Sequence, residues 1–194
     1  MPVDKMTRFR DRYRIESARL RGWDYASEGW YFVTVCTVNR ECLLGEIIKS
    51  RMVLSSIGQI ARQYWEEIPD HFPNVKMDAF IIMPNHIHGI INIDNGRDVA
   101  SGRDVACYVS TRSNDDIMSN ISPVRGSLGT VIRSYKSAVT RWCRKRGRPY
   151  VVWQPRFYDH VVRNEESLNR IRGYIRDNPV KWVTDKERVG NLWI

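Results

Sequence analysis

Two apolar stretches with only two residues between them limit the fold of this chain more than any other feature. Val75–Met83 (VKMDAFIIM) and His86–Ile93 (HIHGIINI) are separated by Pro84-Asn85, a turn-forming pair. They predict two antiparallel strands joined by a tight turn. Val75–Met83 shows almost no alternation of apolar and polar positions, which predicts a strand covered on both faces.

The remaining elements group around this hairpin. Gly29–Thr37 (GWYFVTVCT) is aromatic and β-branched and predicts a strand, and Leu43–Ile48 and Arg51–Leu54 predict short strands around a turn. Leu54, Ile57, Ile60, Ala61, Tyr64, Trp65 and Ile68 fall at helical spacing, with Ser55 and Ser56 as caps and Pro69 as a stop. Gly126–Arg148 predicts a second helix through the stripe Leu128, Val131, Ile132, Tyr135, Ala138, Val139 and Trp142. Phe157–Val162 predicts another strand. Glu165–Asn178 predicts a third helix, with Asn164 as N-cap and Pro179 forcing its end. Helices interleaved with an antiparallel sheet in this order predict an α+β fold: a ferredoxin-like antiparallel sheet with helices packed on it.

The expected core domain spans residues 29–182. Residues 1–28 form a basic arm in which Arg8, Arg10, Arg12 and Arg14 share one face if extended; a solvated terminus explains them equally well. Residues 94–124 turn polar and repeat Gly96-Arg-Asp-Val-Ala100 as Gly102-Arg-Asp-Val-Ala106, the pattern of a surface insertion. Residues 183–194 are a C-terminal tail.

Charge narrows the function. Against 22 acidic residues stand 31 Lys and Arg, a net charge of +9, and the pI is near 9.6. Such an excess favours a polyanion, nucleic acid before a membrane surface. The 126–148 helix carries Arg133, Lys136, Arg141, Arg144, Lys145 and Arg146 on its outer face, with no acidic residue between Arg125 and Tyr150. This is a face suited to phosphates. The four cysteines, at 36, 42, 107 and 143, include no CxxC pair, against both a disulfide scaffold and a zinc ribbon. Without an apolar run of roughly 18 residues, the expectation is a soluble cytoplasmic protein.

Three sets of residues suggest chemistry. On a strand His86 and His88 point to one side, an arrangement that suits a shared metal ion and also occurs in purely structural pairs; Ile87 and Ile90 are expected on the other side. Tyr174 and Asn178 are i and i+4 on the last helix, so an amide ligand and a phenol fall on one face. A phenol with an ordinary pKa of about 10 needs help from a metal to act as a nucleophile. Beside Leu168, Ile171 and Ile175, Tyr174 equally suits a core position. Tyr158 is a rival nucleophile, on a strand without an amide partner. Asp159 and His160 face opposite sides and form no dyad. No GxSxG, HExxH or Gly-rich phosphate loop occurs.

Met83-Pro-Asn-His-Ile-His-Gly-Ile-Ile91, Trp153-Gln-Pro-Arg-Phe-Tyr-Asp-His-Val-Val162 and Tyr174-Ile-Arg-Asp-Asn-Pro179-Val-Lys-Trp182 together resemble the REP-associated tyrosine transposases, which are single-tyrosine HUH nucleases. The likeness runs from about Gly29 to Trp182 and implies the HUH nuclease-type fold. It implies that His86, His88 and Asn178 hold Mg2+ or Mn2+ and that Tyr174 attacks a DNA phosphodiester, leaving a 5′-phosphotyrosine and a free 3′-OH. The implied substrate is single-stranded DNA folded into REP-like palindromic hairpins, and the implied setting is cytoplasmic and nucleoid-associated, as monomer or homodimer. Several insertion-sequence relatives carry Gln where this chain has Asn178, and the 94–124 insertion is outside the pattern. Trp23, Trp30, Tyr31 and Trp153 are candidates to stack on unpaired bases, and each suits a core position at least equally well. Two other functions compete: a non-cleaving DNA hairpin-binding protein, and a metallohydrolase of small substrates built on the histidine pair.

Overall fold

The computed structural model describes residues 22–95, 126–147 and 152–186. Most of the basic arm, the doubled GRDVA motif and the tail beyond 186 lie outside the described residues. The strands are β1 (Gly29–Cys36), β2 (Gly45–Ile48), β3 (Arg51–Leu54), β4 (Val75–Met83), β5 (His86–Ile93) and β6 (Tyr158–Val162). The helices are α1 (Ser56–Glu66), the single turn α2 (Ile68–His71), α3 (Leu128–Lys145) and α4 (Glu165–Lys186).

Four strands form an antiparallel sheet in the order β4-β5-β1-β6. This is the ferredoxin-like order expected. β2 and β3 make a separate hairpin. Its turn residues Lys49 and Ser50 both have positive φ, 49° and 60°, which matches the right-handed twist of a two-residue hairpin.

The sheet is covered on both faces. Tyr31, Val33, Val35, Ile87 and Ile91 point to one face and pack with Trp65 of α1 and Val131, Ile132, Tyr135 and Val139 of α3. The Tyr135 hydroxyl donates to the Ala61 carbonyl at 2.9 Å and ties those helices together. Gly89 leaves room for the Trp65 indole, since a Cβ there would overlap it. On the other face Ile90, Val162, Trp30, Phe32 and Ile81 meet Leu168, Ile171 and Ile175 of α4. Ser55 and Ser127 cap α1 and α3 by accepting from the Gly58 and Thr130 amides. The Asn164 side chain accepts from the Ser167 amide at 2.8 Å, the expected cap of α4.

Three expectations change. β4 lacks alternation partly because its register shifts between Met77 and Phe80. Met77 pairs with Ile91 and Phe80 with Gly89, so two alternating halves are joined out of phase at a bulge. Met77 and Phe80 therefore pack on the α1–α3 face, and Ala79 and Ile81 on the α4 face. Pro69 does not only stop α1; it sits in the first turn of α2, where its missing N–H costs nothing. Pro179 does not end α4, which runs 22 residues to Lys186 with Pro179 inside it. The bond that Pro179 cannot donate to the turn before is lost. Beyond it the Trp182 ring packs 5.9 Å from His86.

Candidate metal and nucleophile site

The hairpin turn places both histidines at the start of β5, on the α4 face. His86 pairs across β1 with Cys36 and His88 with Thr34. The two rings lie 4.4 Å apart between centroids. Both are buried, at 5% and 1% exposure. Ile90 is two residues beyond His88 and shares its face, where it joins the α4 cluster; the expectation that it faces away is corrected by the two-residue period.

Neighbours fix each ring. The Asn85 side-chain amide donates to the Arg40 carbonyl at 3.1 Å, which turns its oxygen toward His86 Nδ1 at 2.7 Å. An amide oxygen only accepts, so His86 Nδ1 carries the proton and Nε2 keeps its lone pair. That Nε2 is buried with no hydrogen-bond partner among the described residues. His88 Nδ1 meets Thr34 Oγ1 at 2.8 Å. Burial, then the positive charge of Arg40, lowers the His86 pKa to about 4. Burial, then His86, pushes His88 well below the ordinary imidazole value. Both rings are neutral at pH 7, the form that ligates metal.

α4 closes the site. The Tyr174 hydroxyl lies 3.3 Å from His88 Nε2. Phe32 stacks on His88 at 5.3 Å and meets Tyr174 edge-on at 6.2 Å. Two turns further on, the Trp182 ring lies 5.9 Å from His86. Asn178 lies between these contacts at i+4 from Tyr174 and is 3% exposed. With Leu168, Ile171 and Ile175 it completes the buried stripe of the helix, a polar residue where the period calls for an apolar one. No cluster of three His, Cys, Asp or Glu residues occurs among the described residues, and Asn178 is the buried polar side chain that α4 brings to this face. Two neutral imidazoles with an amide oxygen are able to hold a divalent cation that keeps water or phosphate oxygens in its other positions. The orphaned His86 Nε2 is a lone pair that such an ion would satisfy.

The basic helix lies elsewhere. α3 packs on the sheet face opposite the histidines. Arg133, Arg141, Arg144, Lys145 and Arg146 are exposed there, with the Arg146 guanidinium 4.2 Å over the Trp142 ring. Lys136 departs from the expected phosphate role. Its ammonium donates to the carbonyls of Gln154, Pro155 and Arg156, and desolvation lowers its pKa to about 8. A cleft of about 400 Å³ separates Arg141 and Arg144 from residues 152–155. Tyr31 and Trp153 are buried and offer no stacking surface, and Trp30 packs under α4. Trp23 is 36% exposed, with its indole N–H on the Tyr31 hydroxyl.

No family model matches the chain. It is 39% identical over 173 residues to an uncharacterised protein of Haemophilus influenzae, covering 88% of this chain and 91% of that one. It is 26% identical over 161 residues to the REP-associated tyrosine transposase of Escherichia coli, covering 82% and 72% of the two chains. A solved REP-associated tyrosine transposase bound to a REP hairpin superposes with a TM-score of 0.52 at 23% identity, over 91% of this chain and 74% of that one. The chain is similar to the REP-associated tyrosine transposases in sequence and in fold.

The sequence alone did not point to Thr34, Asn85 and Phe32 as partners of the histidines. Asn85 carried a signal, an amide directly before the pair. Thr34 and Phe32 carried none, because they reach His88 through a strand pairing 54 residues distant in sequence. No described helix is long and apolar enough to cross a membrane.

Proposed function

We propose that this chain is a transposase-like, metal-dependent single-strand DNA endonuclease and strand transferase acting on REP-like hairpin DNA. The observation that carries this reading is the 3.3 Å approach of the Tyr174 hydroxyl to His88 Nε2, with an orphaned His86 nitrogen beside it. His86, His88 and Asn178 would hold Mg2+ or Mn2+. Such an ion, when bound, would supply Lewis-acid polarisation of a phosphate and offset charge developing on it. Tyr174 forms a bond to phosphorus as the bond to the 3′ oxygen breaks. The phenol proton leaves to solvent, the 3′ oxygen takes one up, and the 5′ end stays on the protein as a phosphotyrosine that a second 3′-OH can resolve. Phe32 and Thr34 hold the His88 ring in place. The exposed arginines of α3 dock the DNA backbone on the opposite face. That DNA reaches the histidines around the strand ends, where the Gln154 amide bonds the Cys36 carbonyl opposite His86.

The test is a covalent adduct. Incubation with a labelled palindromic hairpin and Mn2+ should give a protein–oligonucleotide band on a denaturing gel. Tyr174→Phe should abolish the band and retain hairpin binding. An adduct that survives in that variant overturns the assignment. Hairpin binding without any wild-type adduct points to the non-cleaving binder instead.

A further inference from the structure

The contacts that hold α4 on the sheet are mostly apolar. Leu168, Ile171 and Ile175 sit on Ile90 and Val162 without any directional bond. Such a face tolerates small slides and rotations of a helix, yet a reacting oxygen does not. Apart from the Tyr174 hydroxyl at His88 Nε2, a second directional tie joins α4 to this face among the described residues. Asp78 lies in the β4 bulge between Met77 and Phe80 and, one residue after Met77 on the α1–α3 face, falls on the α4 side of the sheet. Its carboxylate accepts from the Ala79 amide at 2.5 Å. It also accepts side-on from Arg172, with Nε at 3.2 and 3.1 Å from the two oxygens and Nη2 on Oδ2. The remaining arm, Nη1, reaches back along α4 to Glu165 at 3.1 Å and Asn169 at 2.9 Å. The guanidinium is thus fixed to its own helix and to the sheet at once, two residues before Tyr174. The two side chains are 35% and 18% exposed, so the pair adds little to stability.

We propose that Arg172 is a positioning residue for the nucleophile: its fork on the bulge carboxylate of Asp78 sets the rotation and height of α4 that hold the Tyr174 hydroxyl at His88. This rests on the reading of Tyr174 as nucleophile. The fork is planar and two-pronged, so a lysine ammonium at 172 keeps the charge and loses the constraint. Asp78 is held as a carboxylate, since Arg172 lowers its pKa.

The experiment compares Arg172→Gln, Arg172→Lys and Asp78→Asn with wild type, and uses Arg176→Gln as a charge-matched control on the same helix. Two readouts are taken: the adduct rate at saturating hairpin with its dissociation constant, and the His88 ring resonances in the metal-free protein, referenced to Tyr174→Leu. The fork variants should lose about a hundredfold in adduct rate, with hairpin affinity unchanged, as an approximately 1 Å misplacement would cause. Their His88 resonances should move toward those of Tyr174→Leu, and Arg176→Gln should match wild type in both readouts. Wild-type rates and resonances in the fork variants overturn the proposal, as does a rate loss that only follows lost affinity or unfolding. If wild type itself forms no adduct, the nuclease reading fails, and the resonances alone decide whether Arg172 positions the phenol.

Discussion

The Asn85 side-chain oxygen lies 2.7 Å from His86 Nδ1, and this contact decides which nitrogen of that imidazole is left to face the site. The pairing is local, one residue to the next, and is held in turn by the bond from the Asn85 amide to the Arg40 carbonyl. Removing the acceptor frees the tautomer and the ring. Asn85→Ala should therefore weaken Mn2+ binding about ten- to a hundredfold, the usual effect of losing such a partner. Asn85→Asp keeps the acceptor and should weaken it less. Titration of Mn2+ followed by electron paramagnetic resonance measures both. Equal affinity in Asn85→Ala and wild type would remove Asn85 from the site.

Acid should unfold the chain through the same ring. His86 titrates near 6.5 when unfolded and at about 4 when folded, because burial disfavours the imidazolium. Between those values the unfolded chain binds more protons than the folded one, so stability falls as pH falls. The contribution is fully present above pH 6.5 and lost on approach to pH 4, in total about 3 kcal/mol for a shift of this size. His86→Gln should flatten the acid limb of urea midpoints measured across that window. A variant with the same slope as wild type would show that other groups drive the loss.

Much of this architecture can be read from the sequence because local rules govern it. Pro84-Asn85 between two apolar runs fixed the hairpin, and the period of two put His86 and His88 on one face. What escaped the sequence depends on distant partners. The β4 bulge breaks its alternation at Asp78–Ala79, and only the register against β5 shows that the strand is two phased halves. Pro179 is a strong local stop, yet α4 continues past it and Trp182 lies against His86, a contact across 96 residues. Lys136 looked like its exposed neighbours on α3. Its position on the helix face gave no hint that three carbonyls of 154–156 would enclose it.

Close packing behind the histidines gives a stability prediction. Gly89 faces α1, and a methyl group there would overlap the Trp65 indole and crowd its Cε2 and Cη2. Trp65 is fully buried, stacked near Phe80 at 6.1 Å and edge-on to Tyr135 at 5.0 Å, so it has little room to retreat. Gly89→Ala should cost about 1–3 kcal/mol, the range for overpacking a tight core. Denaturant midpoints read this directly. A neutral or stabilising result would mean that the indole shifts freely, against the packing described.

Salt dependence separates the two kinds of basic residue on α3. Arg141 and Arg144 line an open cleft with exposed guanidinium groups, whereas Lys136 is spent on backbone carbonyls. A side chain that neutralises a phosphate releases about one counterion, so its loss lowers the slope of log affinity against log salt by about 1. Arg141→Gln and Arg144→Gln should each do this for hairpin DNA, by fluorescence anisotropy over a salt series. Lys136→Met should leave the slope unchanged. It should lower the melting temperature instead, because the carbonyls of 154–156 lose their shared donor and the segment beside Cys36 loosens. Were Lys136→Met to flatten the slope with melting intact, the lysine would belong to the DNA surface after all. Were neither arginine to matter, the hairpin would have to dock on another basic surface.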